Sequence, residues 1–455
     1  MSKQRRRRKV RLPQEPVAAH IEELSAEGRG VAHIDGKVTF IDFALPGEDV
    51  LFKYSRTSSK FDEGQAIEVL KASAQRVEPA CEHFGICGGC SLQHLNETDQ
   101  IEAKQQTLLN HFQHLSGVEP GEIMPPLTGP VLGYRHKARL GVKYVAKKGK
   151  VLVGFREKAA PYIANLDSCK VLHPSVGERL DKLSELIMSM EARQTIPQIE
   201  VAVSDDVTAL IFRHLEDLSA TDREKLIQFA QAENIQIALQ PGGINTVKAL
   251  WPENPPPLFY RLENQQVKIE FQATDFTQVN PVINQAMIDH ALALLDLQVD
   301  DSVLDLFCGL GNFTLPMARQ AARVTGVEGA EVMVVKAREN ARLNDINNVD
   351  FFAADLSQDL KGQPWLQQKY DKILLDPPRS GAMEMLNYLG KLGASRIVYV
   401  SCHPATLARD AKILVNDFGY RLTRAGVMDM FPHTAHVESI AVFDLKDKSR
   451  SATKH

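Results

Sequence analysis

The segment Val398–Asp410, VYVSCHPATLARD, carries a thiol at a position suited to chemistry. Ile397–Val400 is a short β-branched and aromatic run that reads as a buried strand, and Pro404 suits the first turn of a helix. In open α/β sheets the reactive groups lie outside the carboxyl ends of the strands. Cys402 would stand there, near a helix N-terminus whose dipole favours the thiolate, the nucleophilic form. The competing reading is a small buried hydrophobe, the ordinary role of an unpaired cysteine.

A second group of thiols has the spacing Cys81-x5-Cys87-x2-Cys90, with Gly88 and Gly89 letting the backbone turn sharply between the last two. Cys169 is the candidate for a fourth ligand, because Cys308 and Cys402 belong to the later domain. Four cysteines suit zinc or a [4Fe–4S] cluster, and spacing does not choose between them. The chain has no apolar leader and no run approaching the ~20 apolar residues of a membrane span, so a cytoplasmic protein without membrane contact is expected. In that compartment six cysteines argue for metal or catalysis rather than disulfides. His433 and His436, spaced i, i+3, find no third ligand in their segment and are not read as a metal pair.

The elements that must position these groups fall into four stretches. Residues 1–15 form a basic arm, expected to be disordered. Residues 3–11 carry seven positive charges and no negative one, so a net charge of −4 leaves −11 on the remainder. Such a block on an acidic chain reads as an arm for a polyanion, most simply nucleic acid. Residues 16–74 read as a small all-β barrel, with Asp35-Gly36 in a hairpin turn between Val31–Ile34 and Lys37–Ile41. Residues 75–264 form a central α+β domain. It contains a helix over 97–115 with Ile101, Leu108, Phe112 and Leu115 on one face, and a basic strand region from Tyr134 to Lys150. Helices over 173–191 and 221–233 and strands over 198–214 and 235–240 follow, and the proline-rich connector at 253–257 ends the domain.

Residues 265–447 alternate strands and helices, the pattern of a parallel sheet. Polar residues recur at strand ends: Asp305 before the turn Cys308-Gly-Leu-Gly311, then Glu328, Asp355 and Asp376. Glu328 lies 23 residues beyond Asp305, about the interval at which an acid meets ribose hydroxyls. The turn lacks the third glycine of a pyrophosphate-binding G-x-G-x-x-G. Together these suit a nucleoside without phosphates, such as S-adenosylmethionine, better than a dinucleotide.

The runs FTQVNP (276–281), DLFCGLGNFTLP (305–316), LLDPPRSG (374–381), VYVSCHPATLARD (398–410) and MFPHTAHVESI (430–440) resemble the RNA uracil-5-methyltransferases. The resemblance spans the chain: the barrel looks like a TRAM domain of the OB-like kind, and the four cysteines match that family's [4Fe–4S] ligands. It implies an α/β class I S-adenosylmethionine-dependent methyltransferase domain (Rossmann-like), preceded by the TRAM barrel and a central iron-sulfur domain. It also implies 23S ribosomal RNA as partner, a monomer, and a cofactor site of Gln278, Phe307, Asn312, Glu328, Asp355 and Asp376.

The chemistry implied by the resemblance is covalent. Carbon 5 of uracil is a poor nucleophile, and addition of the Cys402 thiolate at carbon 6 places enolate electron density on it. After methyl transfer, Glu438 is the base implied to remove the carbon-5 proton. Three other readings compete. The substrate could be the T-loop of tRNA. The Asp-Pro-Pro run could belong to an adenine amino-methylating enzyme, although Arg379 stands where such motifs place an aromatic. A non-catalytic RNA-binding iron-sulfur protein would have no use for Cys402 with Glu438.

Overall fold

The computed structural model describes residues 12–446, so most of the basic arm lies outside the described residues. The chain divides into two compact units. One comprises residues up to 104 together with His433–His436, and the other comprises Gln105–Pro432 and the residues from Val437 onward.

The first unit is built on a six-stranded sheet in the order Val17–His20, Asp49–Thr57, Asp62–Lys71, Lys37–Asp42, Gly30–Ile34, Glu23–Leu24. Asp35 and Gly36 both take positive φ, 50° and 77°, which closes the expected hairpin. Alternation along Asp49–Thr57 sends Val50 and Phe52 into a core shared with Ile21 and Ile41. Gly64 has no side chain because a Cβ there would come within 2.5 Å of the Phe52 ring. Glu48, fully buried, accepts from Arg76 Nε at 2.6 Å and from the amides of Leu45 and Ser73, pinning the barrel to the chain that leaves it. Phe84, from the cysteine-bearing loop, packs its ring edge-on against Phe43 at 5.2 Å.

The second unit contains two sheets of functional interest. The central one has the order Lys248–Trp251, Gln236–Gln240, Thr208–Arg213, Gln198–Val203, Lys137–Val145, Lys150–Gly154. The helix expected over 173–191 is two pieces, Pro174–Gly177 and Leu180–Ser189. Leu115, expected on a buried helix face, is half exposed. The α-helix Glu97–His111 gives way to a π-turn over Phe112–Ser116, closed by the Gly117 amide onto the Phe112 carbonyl. The wider turn moves Leu115 off the face and buries Ser116 in its stead.

The other sheet has eight strands. Val349–Ala353, Arg323–Glu328, Ser302–Leu306, Lys372–Leu375 and Arg396–Ser401 run parallel. Glu438–Leu445 then pairs antiparallel with Arg396–Ser401, and Tyr420–Met428 and Glu122–Ile123 complete the edge. Ile397, Val398, Tyr399 and Val400 are fully buried, as a strand covered on both faces requires. Among the described residues no helix is long and apolar enough to cross a membrane.

Candidate active site

The first turn of the eight-stranded sheet is shaped by backbone sterics. Phe307 sits at φ 66°, and its amide donates to the Val327 carbonyl at 2.9 Å. Gly309 and Gly311 follow at φ 55° and 94°, conformations that side chains rarely adopt. The tight turn brings the Gly309 amide to Glu328 Oε2 at 3.1 Å, while Glu328 Oε1 accepts from Gly329 and Ala330 at the start of the next helix. Asp355 is exposed beyond the third strand, and bonds from Ser357 hold its carboxyl below the usual range.

Asn312 is fixed rather than free. Its amide exchanges two hydrogen bonds with Asn284, at 2.9 and 3.1 Å, and its oxygen accepts from Tyr260. Tyr260 and Asn284 escaped sequence reasoning. Asn284 lies in the first turn of the helix Pro281–Leu295, which Asn280 caps. Half-buried Gln278 lies in the loop just before that cap.

Asp305 is buried, accepts from Thr314 Oγ1 at 2.5 Å, and has no partner on its other oxygen. Burial, together with Asp376 and Glu328, pushes its carboxyl up to about 8. Five carboxylates (Asp305, Glu328, Asp355, Asp376 and Glu438) thus surround one end of the sheet. They offer acceptors to a ligand rich in hydroxyl, amino and cationic groups, and nothing to a pyrophosphate.

Cys402 follows the strand Arg396–Ser401, and Ser401 pairs with Ser439, so Cys402 and Glu438 come next in the antiparallel register. His403 caps the following helix, Pro404–Asn416, accepting from the Thr406 amide. The expected depression of the thiol pKa does not occur. Burial, then the charges of Glu438 and Asp376, push Cys402 up to about 11, with only Arg379 as an opposing side-chain charge. Desolvation and two nearby acids outweigh one helix end. The acids are perturbed in turn: Glu438, 4% exposed, is raised well above the usual carboxylate range by burial and by Asp376, and burial takes Asp376 to about 7. A cluster of buried groups with perturbed pKa values of this kind marks functional sites.

Residues 98–446 match the family model for tRNA (uracil-5-)-methyltransferase, and residues 15–67 match the TRAM domain. The chain belongs to the uracil-5-methyltransferase family. It is therefore an S-adenosylmethionine-dependent methyltransferase, with a TRAM domain at residues 15–67. It is 55% identical over 97% of its length to the 23S rRNA (uracil(1939)-C(5))-methyltransferase RlmD of Alcanivorax borkumensis, covering 99% of that protein. Its identity to the RlmD of Methylococcus capsulatus is 52%, over 95% of this chain and 98% of the relative. The fold is that of a Pyrococcus abyssi tRNA (uracil-54, C5)-methyltransferase solved with S-adenosyl-L-homocysteine. The TM-score is 0.71 at 22% identity, over 94% of this chain and all of that one.

In this uracil-5-methyltransferase the loop Asp376–Ala382 is held from the helix behind Cys402. Asp410, fully buried, accepts from Tyr399 Oη at 2.7 Å and from the Ala382 amide at 2.8 Å. Arg409 bonds Asp410 and also donates to the Ser380 carbonyl at 2.9 Å, and Thr406 donates to the Arg379 carbonyl. Gly381, at φ 81°, passes so close that a Cβ would lie 2.6 Å from both Arg409 and Asp410. One helix thus begins just beyond Cys402 and steadies the loop of Asp376. Tyr399 and Asp410 were visible as a lone hydroxyl in an aliphatic strand and a lone acid on an apolar helix face.

Cys81, Cys87, Cys90 and Cys169 are each partly exposed and outside any disulfide, whereas Cys308 is buried and its thiol pushed far up by burial. Their donor type fits a soft metal centre, and the Gly89 amide points at Cys87 Sγ at 3.4 Å. Among the described residues no group of three or more His, Cys, Asp or Glu side chains is gathered to hold a metal. His433 is committed elsewhere, its amide donating to Gln100 and its carbonyl accepting from Ser91 and Leu92.

Proposed function

We propose that this enzyme methylates carbon 5 of a uracil in 23S ribosomal RNA, working as a cytoplasmic monomer, with the position named in its relatives, 1939, as the target. The observation that carries the chemistry is the apposition of Cys402 and Glu438 across paired strand ends, in a crevice where burial raises both and Glu438 raises the thiol further. The identity to RlmD proteins over nearly their whole length supports the substrate.

Cys402 adds as thiolate to carbon 6, and the displaced electron pair moves onto carbon 5. S-adenosylmethionine, which Gln278, Phe307, Asn312, Glu328, Asp355 and Asp376 would hold, would supply the electrophilic methyl group that carbon 5 takes with its electron pair, leaving as S-adenosylhomocysteine. Glu438 then takes the carbon-5 proton. The electron pair left behind restores the ring double bond and expels Cys402 as thiolate. A carboxylate raised by burial is a stronger base than one in water, which suits it to removing a proton from a carbon next to a carbonyl. Asp410 and Arg409 hold the loop of Asp376 and Arg379 in place throughout.

The test is trapping. Glu438→Gln should still add and methylate but not eliminate, leaving methylated RNA bonded to Cys402 as a slow band in denaturing gels. Cys402→Ala should give neither methylation nor the band. Normal turnover by Glu438→Gln would overturn the base assignment. Mapping new 5-methyluridine in 23S rRNA and tRNA transcripts decides the substrate. We further assign Cys81, Cys87, Cys90 and Cys169 to a structural [4Fe–4S] cluster. Anaerobically purified protein should contain about four irons per chain, and stoichiometric zinc would overturn that.

A further inference from the structure

The central sheet carries a concavity of about 570 Å³ that the methyl-transfer chemistry does not use. It is a built feature. Gly141 and Gly154 stand opposite each other on the hairpin Lys137–Val145/Lys150–Gly154. A Cβ on Gly141 would lie 2.3 Å from Ile163, and one on Gly154 would lie 2.7 Å from Leu166. The following segment folds back over this glycine floor. It is held by the Glu157 amide on the Tyr162 carbonyl at 2.8 Å and the Ala164 amide on the Phe155 carbonyl at 2.9 Å. Phe155 and Tyr162 become walls, and Tyr162 is 69% exposed, too much for a core role. Arg139, Lys143 and Arg156 complete the lining, which contains no carboxylate; Glu200, just outside it, pairs with Arg139 at 2.6 Å.

We propose that this concavity is a second nucleotide site, taking an unpaired nucleotide of the RNA substrate that flanks the reacting uridine. The base would stack on Tyr162 and Phe155, and the phosphates would meet Arg139, Lys143 and Arg156. Exposed aromatic faces among cations with no acid between them are the combination that holds single-stranded nucleic acid. The position in the fold agrees. The strand Lys137–Val145 starts at the loop of Gln278, where the His136 amide donates to the Val279 carbonyl at 2.8 Å and Lys137 Nζ to the Ala273 carbonyl at 2.5 Å. At ~3.3 Å per residue, Arg139 to Lys143 lie ~10 to ~23 Å along the strand from His136, within reach of nucleotides next to the target.

The inference rests on the reading that the substrate is RNA, and the experiment separates the two. Full-length enzyme is titrated with a fluorescent single-stranded 23S rRNA fragment at several salt concentrations, and KM for methyl transfer is measured on the same fragment. Tyr162→Ala should weaken binding and raise KM in parallel by about tenfold, within the range for loss of one base–aromatic stack. Tyr162→Phe should restore both. Lys143→Ala with Arg156→Ala should flatten the slope of log affinity against log salt by about 1.4, as for two lost contacts to a single strand. Wild-type affinity and salt slope in these variants overturn the pocket, whether or not methyl transfer is seen. So does equal weakening by Tyr162→Ala and Tyr162→Phe, which would exclude stacking. Failure of the wild-type enzyme to methylate the fragment, with binding and its Tyr162 dependence intact, overturns the substrate assignment instead.

Discussion

The thiol of Cys402 offers the sharpest test of the site's electrostatics. With its pKa at about 11 rather than 9.0, thiolate is about a hundredfold scarcer at any pH below both values. At pH 7.5 only about three thiols in ten thousand would be ionised. The assay is the pH dependence of iodoacetamide labelling at Cys402, read by mass spectrometry of its peptide. The midpoint is the readout, since burial alone slows labelling at every pH. Labelling should climb about tenfold per pH unit through the neutral range and level off near pH 11. Glu438→Gln removes the larger of the two neighbouring acidic contributions and should move the midpoint down. S-adenosylmethionine, whose sulfonium is positive, should lower it further, and S-adenosylhomocysteine, whose thioether sulfur is neutral, should not. A wild-type midpoint at or below 9.0 would refute the claim that burial and acids outweigh the helix end, and an unmoved midpoint in Glu438→Gln would remove that acid from the account.

Further expectations follow from the same contacts. Asp410→Ala should lower the thermal midpoint markedly, because the Tyr399 hydroxyl and Ala382 amide lose their acceptor at ~1–3 kcal/mol each, and Asp410→Asn should cost less. Gly390→Ala, a change that favours helices in isolation, should destabilise by ~1–3 kcal/mol in urea unfolding, since its Cβ would fall 1.9 Å from the Phe418 ring. The neutral form of Asp305 is preferred in the fold, so its contribution is full below pH 3.8 and lost as pH rises to about 8. Asp305→Asn should therefore gain stability relative to wild type across that window, measured by melts at pH 5 and 8. Deleting residues 1–11 removes seven positive charges, and RNA binding should then fall off less steeply with salt.

The parts of this molecule that were legible beforehand are those written in short range. Glycine turns, strand ends and a proline-marked helix start each declare themselves within a few residues, which is why Glu328, Asp376 and Cys402 could be placed at one end of one sheet. The π-turn at Phe112 left no such mark, because a single extra residue in a helical turn leaves the hydrophobic spacing nearly intact. Asn312 could be found, but Tyr260 and Asn284, which orient it, are separated from it by 52 and 28 residues and meet it only after folding. The thiol pKa failed for a related reason. A helix dipole is visible in sequence, whereas the balance of burial against neighbouring acids is a property of the assembled crevice.

The ring of carboxylates has a bearing on how a nucleic acid can enter. The burial that raises Asp305, Asp376 and Glu438 would strip a phosphodiester of its hydration, while a uracil ring carries no charge into the crevice. The strand that delivers the base must therefore keep its backbone at the threshold and rotate a single nucleotide inward, at an unstacking cost of about a few kcal/mol. Unpaired or weakly stacked uridines meet that cost most easily. The same burial that raises these acids thus sorts RNA by local looseness before any base edge is read.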